Sequence, residues 1–118
     1  MLENKNLNFL KRLNFAFAGI QFALKSEKSF RTHLLISIGL LFLSLIIHPD
    51  SKWSAIFCIC VGNVLACELI NSALEALCHF VSIEQQPQIK IAKDCAAGAV
   101  LISSIASVAV FGIFLTSL

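Results

Sequence analysis

Apolar residues gather into three blocks along the chain, Leu34–Ile47, Trp53 to about Val81, and Cys95–Leu118, parted by short polar stretches. The third block carries no charged residue over 24 positions, enough to cross a hydrocarbon core of roughly 30 Å. The second runs for 15 apolar or weakly polar residues, Trp53–Cys67, before Glu68 interrupts it. The first is short for a span, with Arg31 and His33 at its start placed to snorkel. His48-Pro49-Asp50-Ser51-Lys52 reads as a tight polar turn between the first two blocks. Upstream the period changes. Leu10, Leu13, Phe17, Ile20 and Leu24 recur at spacings of three and four, with Lys11, Asn14, Gln21, Lys25 and Lys28 as a polar stripe beside them. A basic amphipathic helix of this kind reads as lying in the membrane interface, the alternative being a helix packed only on the protein itself.

The pattern therefore predicts an all-α membrane protein, with three transmembrane helices plus an N-terminal amphipathic surface helix. One domain covers residues 1–118, with the surface helix in 1–31 and membrane helices at 33–48, 53–81 and 95–118. The inner connection, VSIEQQPQIKIAKD, reads as a loop, with Lys93 and Asp94 just before the third helix and Asp94 available as a partner for its dipole.

Composition sharpens the choice of solvent. The chain is 58% hydrophobic and 14% charged, with a mean hydropathy of +0.85. A core of this size could not hide that much apolar surface from water, so a soluble domain is excluded. Six of the nine Lys/Arg lie in the first 32 residues, which puts the N-terminus in the cytoplasm. Three crossings then put the His48–Lys52 turn outside, the Ser82–Asp94 connection inside and the C-terminus outside. No cleavable signal is expected. The basic segment addresses the lipid bilayer, and no nucleic-acid partner is expected. The five cysteines, Cys58, Cys60, Cys67, Cys78 and Cys95, read as small buried hydrophobes.

One stretch does not belong in a greasy helix: ELINSALE, Glu68–Glu75. An ionised carboxylate costs several kcal/mol in hydrocarbon, so it marks a functional site by default. At about 100° per residue Glu68, Asn71 and Glu75 project within an arc of roughly 60°, and the carboxylates are about 10 Å apart along the axis. If Trp53 marks the outer interface, Glu68 lies about 22 Å further along, near the cytoplasmic headgroups. Glu27, at the end of the amphipathic helix, falls at the same level. Carboxylates there, with Lys93 nearby, suit a divalent cation carrying a phosphorylated ligand. A further carboxylate can accept a hydroxyl proton. The other reading is of polar groups that merely bond helices together. Neither GxxxxGK[ST] nor GxGxxG occurs, which excludes the usual soluble nucleotide folds.

The run resembles the signature of the prokaryotic diacylglycerol kinase and undecaprenol kinase family, Glu-x-x-Asn-[Ser/Thr]-Ala-x-Glu followed after a loop by Ala-Lys-Asp. Here these are Glu68, Asn71, Ser72, Ala73 and Glu75, then Ala92, Lys93 and Asp94. Ala16-x-x-Gly19 and Glu27-x-x-Phe30-Arg31 match upstream. The resemblance implies a small homotrimeric lipid kinase of the bacterial cytoplasmic (inner) membrane, transferring the γ-phosphate of ATP to a lipid hydroxyl with Mg²⁺. It implies Glu68 as proton acceptor, Asn71 as orienter, and Glu27 and Glu75 as Mg²⁺ ligands. Glu84, Gln85, Gln86, Lys93 and Asp94 would contact ATP, and each site would be shared between subunits. Ala99, Ser103 and Ser107 permit the close helix approach such an assembly needs.

The chain departs from that pattern at His79, where the family usually has Asp, and lacks the usual His or Tyr near Gln85–Gln86. His33, where diacylglycerol-type enzymes commonly carry a carboxylate, and the Ala-Ala-Gly-Ala-Val run after Cys95 resemble the undecaprenol branch. Undecaprenol is the expected acceptor and diacylglycerol the alternative. A small proton-coupled transporter would more typically show four spans with its key Glu in the first.

Overall fold

The structure is a computed structural model and describes residues 8–47, 49–81 and 86–118. Its four elements are helices: α1 (Phe9–Ser26), α2 (Lys28–Ile47), α3 (Ser51–Val81) and α4 (Pro87–Thr116). Among the described residues there is no strand.

Each helix starts for a local reason. Asn8 caps α1 by accepting from the Lys11 N–H at 3.0 Å. Asp50 caps α3 in the same way, accepting from the Lys52 N–H at 3.1 Å. α4 opens with Pro87, whose missing N–H costs nothing in a first turn. Between α1 and α2 lies one extended residue, Glu27, at φ −112°, ψ 105°. Its N–H donates to the Ala23 carbonyl and its own carbonyl accepts from the Arg31 N–H, so it closes one helix and opens the next. The Arg31 guanidinium folds back and donates to the carbonyls of Leu24 and Lys25 at 2.9 and 3.0 Å. That cation meets the negative end of the α1 dipole and fixes the elbow at Glu27. Arg31 is thus a cap as well as a charge at the start of a span.

α3 and α4 run antiparallel. Trp53 and Phe57, near the start of α3, pack edge-on against Phe114, near the end of α4, at centroid distances of 5.3 and 5.0 Å. Phe111 completes this aromatic cluster. α2 packs on α3, and α1 crosses both near the other end. Three helices are long and apolar enough to cross a membrane. Only about 11% of each apolar window is buried inside the chain, so little hydrophobic core exists without a bilayer or neighbouring subunits. The apolar stripe of α1 is largely exposed too, with Leu10, Phe17 and Ile20 open, the state an interfacial helix needs.

The helices begin earlier than the spans that hydropathy predicts. The first starts at Lys28 rather than residue 33 and the second at Ser51, while His48 lies outside the described residues. The larger correction is at the third. The connection after Gln86 is helical, so Lys93 and Asp94 sit in the second and third turns of α4, not ahead of it. Asp94 pairs with Lys90 at 2.7 Å and is too far inside to serve the helix start. Hydropathy reports which residues suit lipid, whereas helicity continues into the polar layer wherever backbone bonds can.

The excess length has a direction. About 20 residues cross the hydrocarbon, and α3 and α4 have 31 and 30. Counted from the Trp53–Phe114 end, the last third of α3 and the first third of α4 project from the opposite side. Glu75, Lys93 and Asp94 lie on those projections.

The cysteines are all free, but only Cys78 is buried; Cys58 and Cys95 are exposed. Ser103, expected on an oligomer face, is buried within the chain and bonds the Val100 carbonyl, whereas Ala99 is exposed.

Candidate active site

The polar run sits on the face of α3 turned towards the rest of the chain. Val64, Glu68 and Ser72, one turn apart, are buried. Glu68 is 2% exposed, so its carboxylate depends on protein donors in place of water. Ser29 Oγ donates to Glu68 Oε1 at 2.8 Å. His33, one turn further along α2, brings Nδ1 to 2.5 Å from the same oxygen. That contact is off the direction of a hydrogen bond, leaving Nδ1 buried without an aligned partner.

Sequence reasoning placed neither Ser29 nor His33 in the site. A signal was present: Ser29, His33 and Ser37 recur every fourth residue along α2, a polar stripe that in a membrane helix faces protein.

Asn71 is half-buried, and its amide oxygen is enclosed without a hydrogen-bond partner. Such an acceptor costs about 1–3 kcal/mol unless something donates to it. Glu75 is the geometric surprise. It lies only roughly 20° from Glu68 around the helix, in the middle of the buried stripe, yet it is exposed. The chain stops covering α3 between Ser72 and Glu75, although Cys78 is buried again one turn later. Glu27, at the elbow, is half-buried. Among the described residues, no three Asp, Glu, His or Cys side chains converge as a ready metal cage. His79 is exposed in the last turn of α3, where a cation suits the helix dipole.

Lys93 is half-buried and Asp94 exposed. Gln86 is exposed at the start of α4, and its side chain makes no capping bond. Glu84 and Gln85 lie outside the described residues.

Two hollows flank the run. One, of about 450 Å³, lies between α1 and α3 among small residues including Ala16, Gly19, Ala73 and Ala76. The other, of about 360 Å³, is an apolar groove between α2, α3 and α4. It runs from His33, beside Glu68, past Ser37, Leu40 and Val64 to Phe57, Phe111 and Phe114. An apolar groove of ligand size thus ends at His33, whose imidazole touches the buried Glu68 carboxylate.

These features define a small all-helical membrane protein whose polar site sits at one end of its spans. A family model described as prokaryotic diacylglycerol kinase matches residues 14–115. The chain belongs to that family, a family of lipid kinases. It is 33% identical to a diacylglycerol kinase of Synechocystis sp. over 92% of its own length and 62% of that relative, so it spans under two thirds of that protein. It is 29% identical to an undecaprenol kinase of Bacillus subtilis, over 89% of this chain and 85% of the relative. A Pseudomonas aeruginosa diacylglycerol kinase matches at 30% over 76% of the chain and 73% of its own length.

Proposed function

We propose that this protein phosphorylates undecaprenol, taking the γ-phosphate of ATP, with Glu68 as the base. The observation that carries this reading is the buried Glu68 carboxylate in contact with His33, the residue at the end of a ligand-sized apolar groove. A chain lying along the groove would bring its terminal hydroxyl to His33 and Glu68. The acceptor proton passes to Glu68 as the lipid oxygen bonds the γ-phosphorus, and the bond from that phosphorus to the β–γ bridging oxygen breaks, releasing ADP. Asn71, with its unmatched amide oxygen, orients the reacting groups by accepting a hydrogen bond.

Glu27 and Glu75 fit Mg²⁺ by donor chemistry. That ion is usually held by one or two carboxylates plus substrate phosphates and water, not by a protein cage. Its contribution when bound is charge neutralisation along the phosphates. Lys93 would pair a phosphate oxygen. The exposure of Glu75 on an otherwise buried face supports a place for nucleotide there, or for a neighbouring subunit of a homotrimer. The site would face the cytoplasm, with the C-terminus across the inner membrane, because the basic N-terminal segment and the projecting helix ends share one side.

Diacylglycerol is the second reading, favoured by the names of the Synechocystis and Pseudomonas relatives. Purified protein with labelled ATP and Mg²⁺, offered each lipid in parallel, separates the two. A higher kcat/KM for undecaprenol is expected. Preference for diacylglycerol overturns the choice of acceptor, and no labelled lipid from either overturns the kinase reading.

A further inference from the structure

We propose that His33 and Ser29 form a clamp that positions Glu68, so that one chosen carboxylate oxygen meets the acceptor hydroxyl. The clamp deepens the kinase reading and rests on it for its catalytic meaning.

Both contacts fall on the same oxygen. Ser29 Oγ donates to Oε1 at 2.8 Å, and His33 Nδ1 stands 2.5 Å from Oε1. A base must be a carboxylate, so the clamp assigns the imidazole N–H to Nδ1, facing Glu68 as a short electrostatic contact, not an aligned bond. Among the described residues no donor engages Oε2, which leaves that oxygen to take the acceptor proton.

The hydroxyl and the imidazole come from one rigid element. Ser29 and His33 are four residues apart on α2, so helix geometry stacks them on one face. A carboxylate held at one oxygen by two groups of one helix has its plane and rotamer fixed. His33 also lines the end of the apolar groove. It thus touches both the base and the space in which the acceptor would lie. Its side chain is 26% exposed while that of Glu68 is 3%, which makes His33 the outer wall of the pair. His33 acts through Glu68 and is a positioning residue.

Two measurements test the clamp. In bilayer-embedded protein labelled with ¹⁵N-histidine, magnetic resonance should show His33 protonated at Nδ1. That signal should shift in Glu68→Gln and in Ser29→Ala. A bare Nδ1, or a signal indifferent to Glu68→Gln, overturns the clamp, whether or not the protein proves to be a lipid kinase. In turnover, His33→Ala should lower kcat about tenfold to hundredfold, the scale of a misplaced catalytic group. KM for ATP should stay within about twofold, and added imidazole should restore part of the loss. An unchanged kcat, or a loss confined to KM for the lipid, overturns the positioning role and leaves His33 as a groove wall. Wild-type protein that phosphorylates no lipid defeats the kinase reading instead, and the resonance measurement still decides the clamp.

Discussion

The Ser29 hydroxyl, in the first turn of α2, donates a 2.8 Å hydrogen bond to Glu68 in the middle of α3, 39 positions away in sequence. It ties the helix that leaves the Glu27 elbow to the helix that carries the polar run. Bonds to charged groups contribute about 1.5–3 kcal/mol, and the lower end suits a donor on an exposed residue. Ser29→Ala should therefore reduce kcat by about tenfold, even with His33 still beside the carboxylate. Steady-state rates with saturating lipid and ATP check this. An unchanged kcat would show the bond to be idle in turnover.

The elbow makes a separate prediction. Arg31 caps the α1 carbonyls at Leu24 and Lys25 and so holds Glu27 in its extended conformation. In Arg31→Ala those carbonyls lose their cation, the last turn of α1 frays, and Glu27 loses its fixed place. Mg²⁺ titration of activity should show the half-maximal concentration rising severalfold, with kcat at saturating Mg²⁺ largely kept. Arg31→Lys should recover only part, because one ammonium cannot reproduce the reach of a planar guanidinium.

Lys93 and Lys90 should behave differently. Lys93 is half-buried on α4, whereas Lys90 is exposed and already paired with Asp94. Loss of a charge-assisted phosphate contact is worth about tenfold to a hundredfold in affinity. Lys93→Ala should raise KM for ATP by about that factor, and Lys90→Ala by no more than about threefold, since exposed pairs contribute little. Equal effects from the two would remove Lys93 from the phosphate site.

Stability should be set at the other end of the spans. Phe114 is 2% exposed and packs edge-on against Trp53 and Phe57. Lipid is as apolar as the cluster, so Phe114→Ala loses mainly packing: three aromatic pairs, with Trp53, Phe57 and Phe111, at about 0.5–1.5 kcal/mol each, or about 1.5–4.5 kcal/mol together. Unfolding in mixed micelles should show that loss. At saturating lipid, kcat of the folded fraction should hardly change, because the cluster stands far from Glu68, whereas KM for the lipid should rise, because Phe114 lines the far end of the groove.

Much of this was readable from sequence, and the failures share a cause. Hydropathy found three spans and flagged Glu68 because both are statements about lipid compatibility. It placed the start of α4 at Cys95, eight residues late, because the polar stretch after Pro87 suits water yet remains helical. Pro87 itself was the missed start signal. Helical phase put Glu68, Asn71 and Glu75 on one face, but phase says nothing about what covers that face. Hence Glu68 is buried and Glu75 open. His33 drew attention only as a mark of family branch. Its contact with Glu68 depends on how α2 docks on α3, which no local pattern states. Glu84 and Gln85 lie outside the described residues and stay as expectations.

The central claim is that Glu68 takes the acceptor's proton. Glu68→Gln keeps the shape of the side chain and its hydrogen bond from Ser29, but removes the charge that draws the proton. Its turnover with ATP, Mg²⁺ and undecaprenol, measured beside wild type in the same bilayers, tests the claim most directly. Removal of a general base should lower kcat about 10²–10⁴-fold, with KM for ATP little changed. A Glu68→Gln variant that turns over within a few-fold of wild type would contradict it.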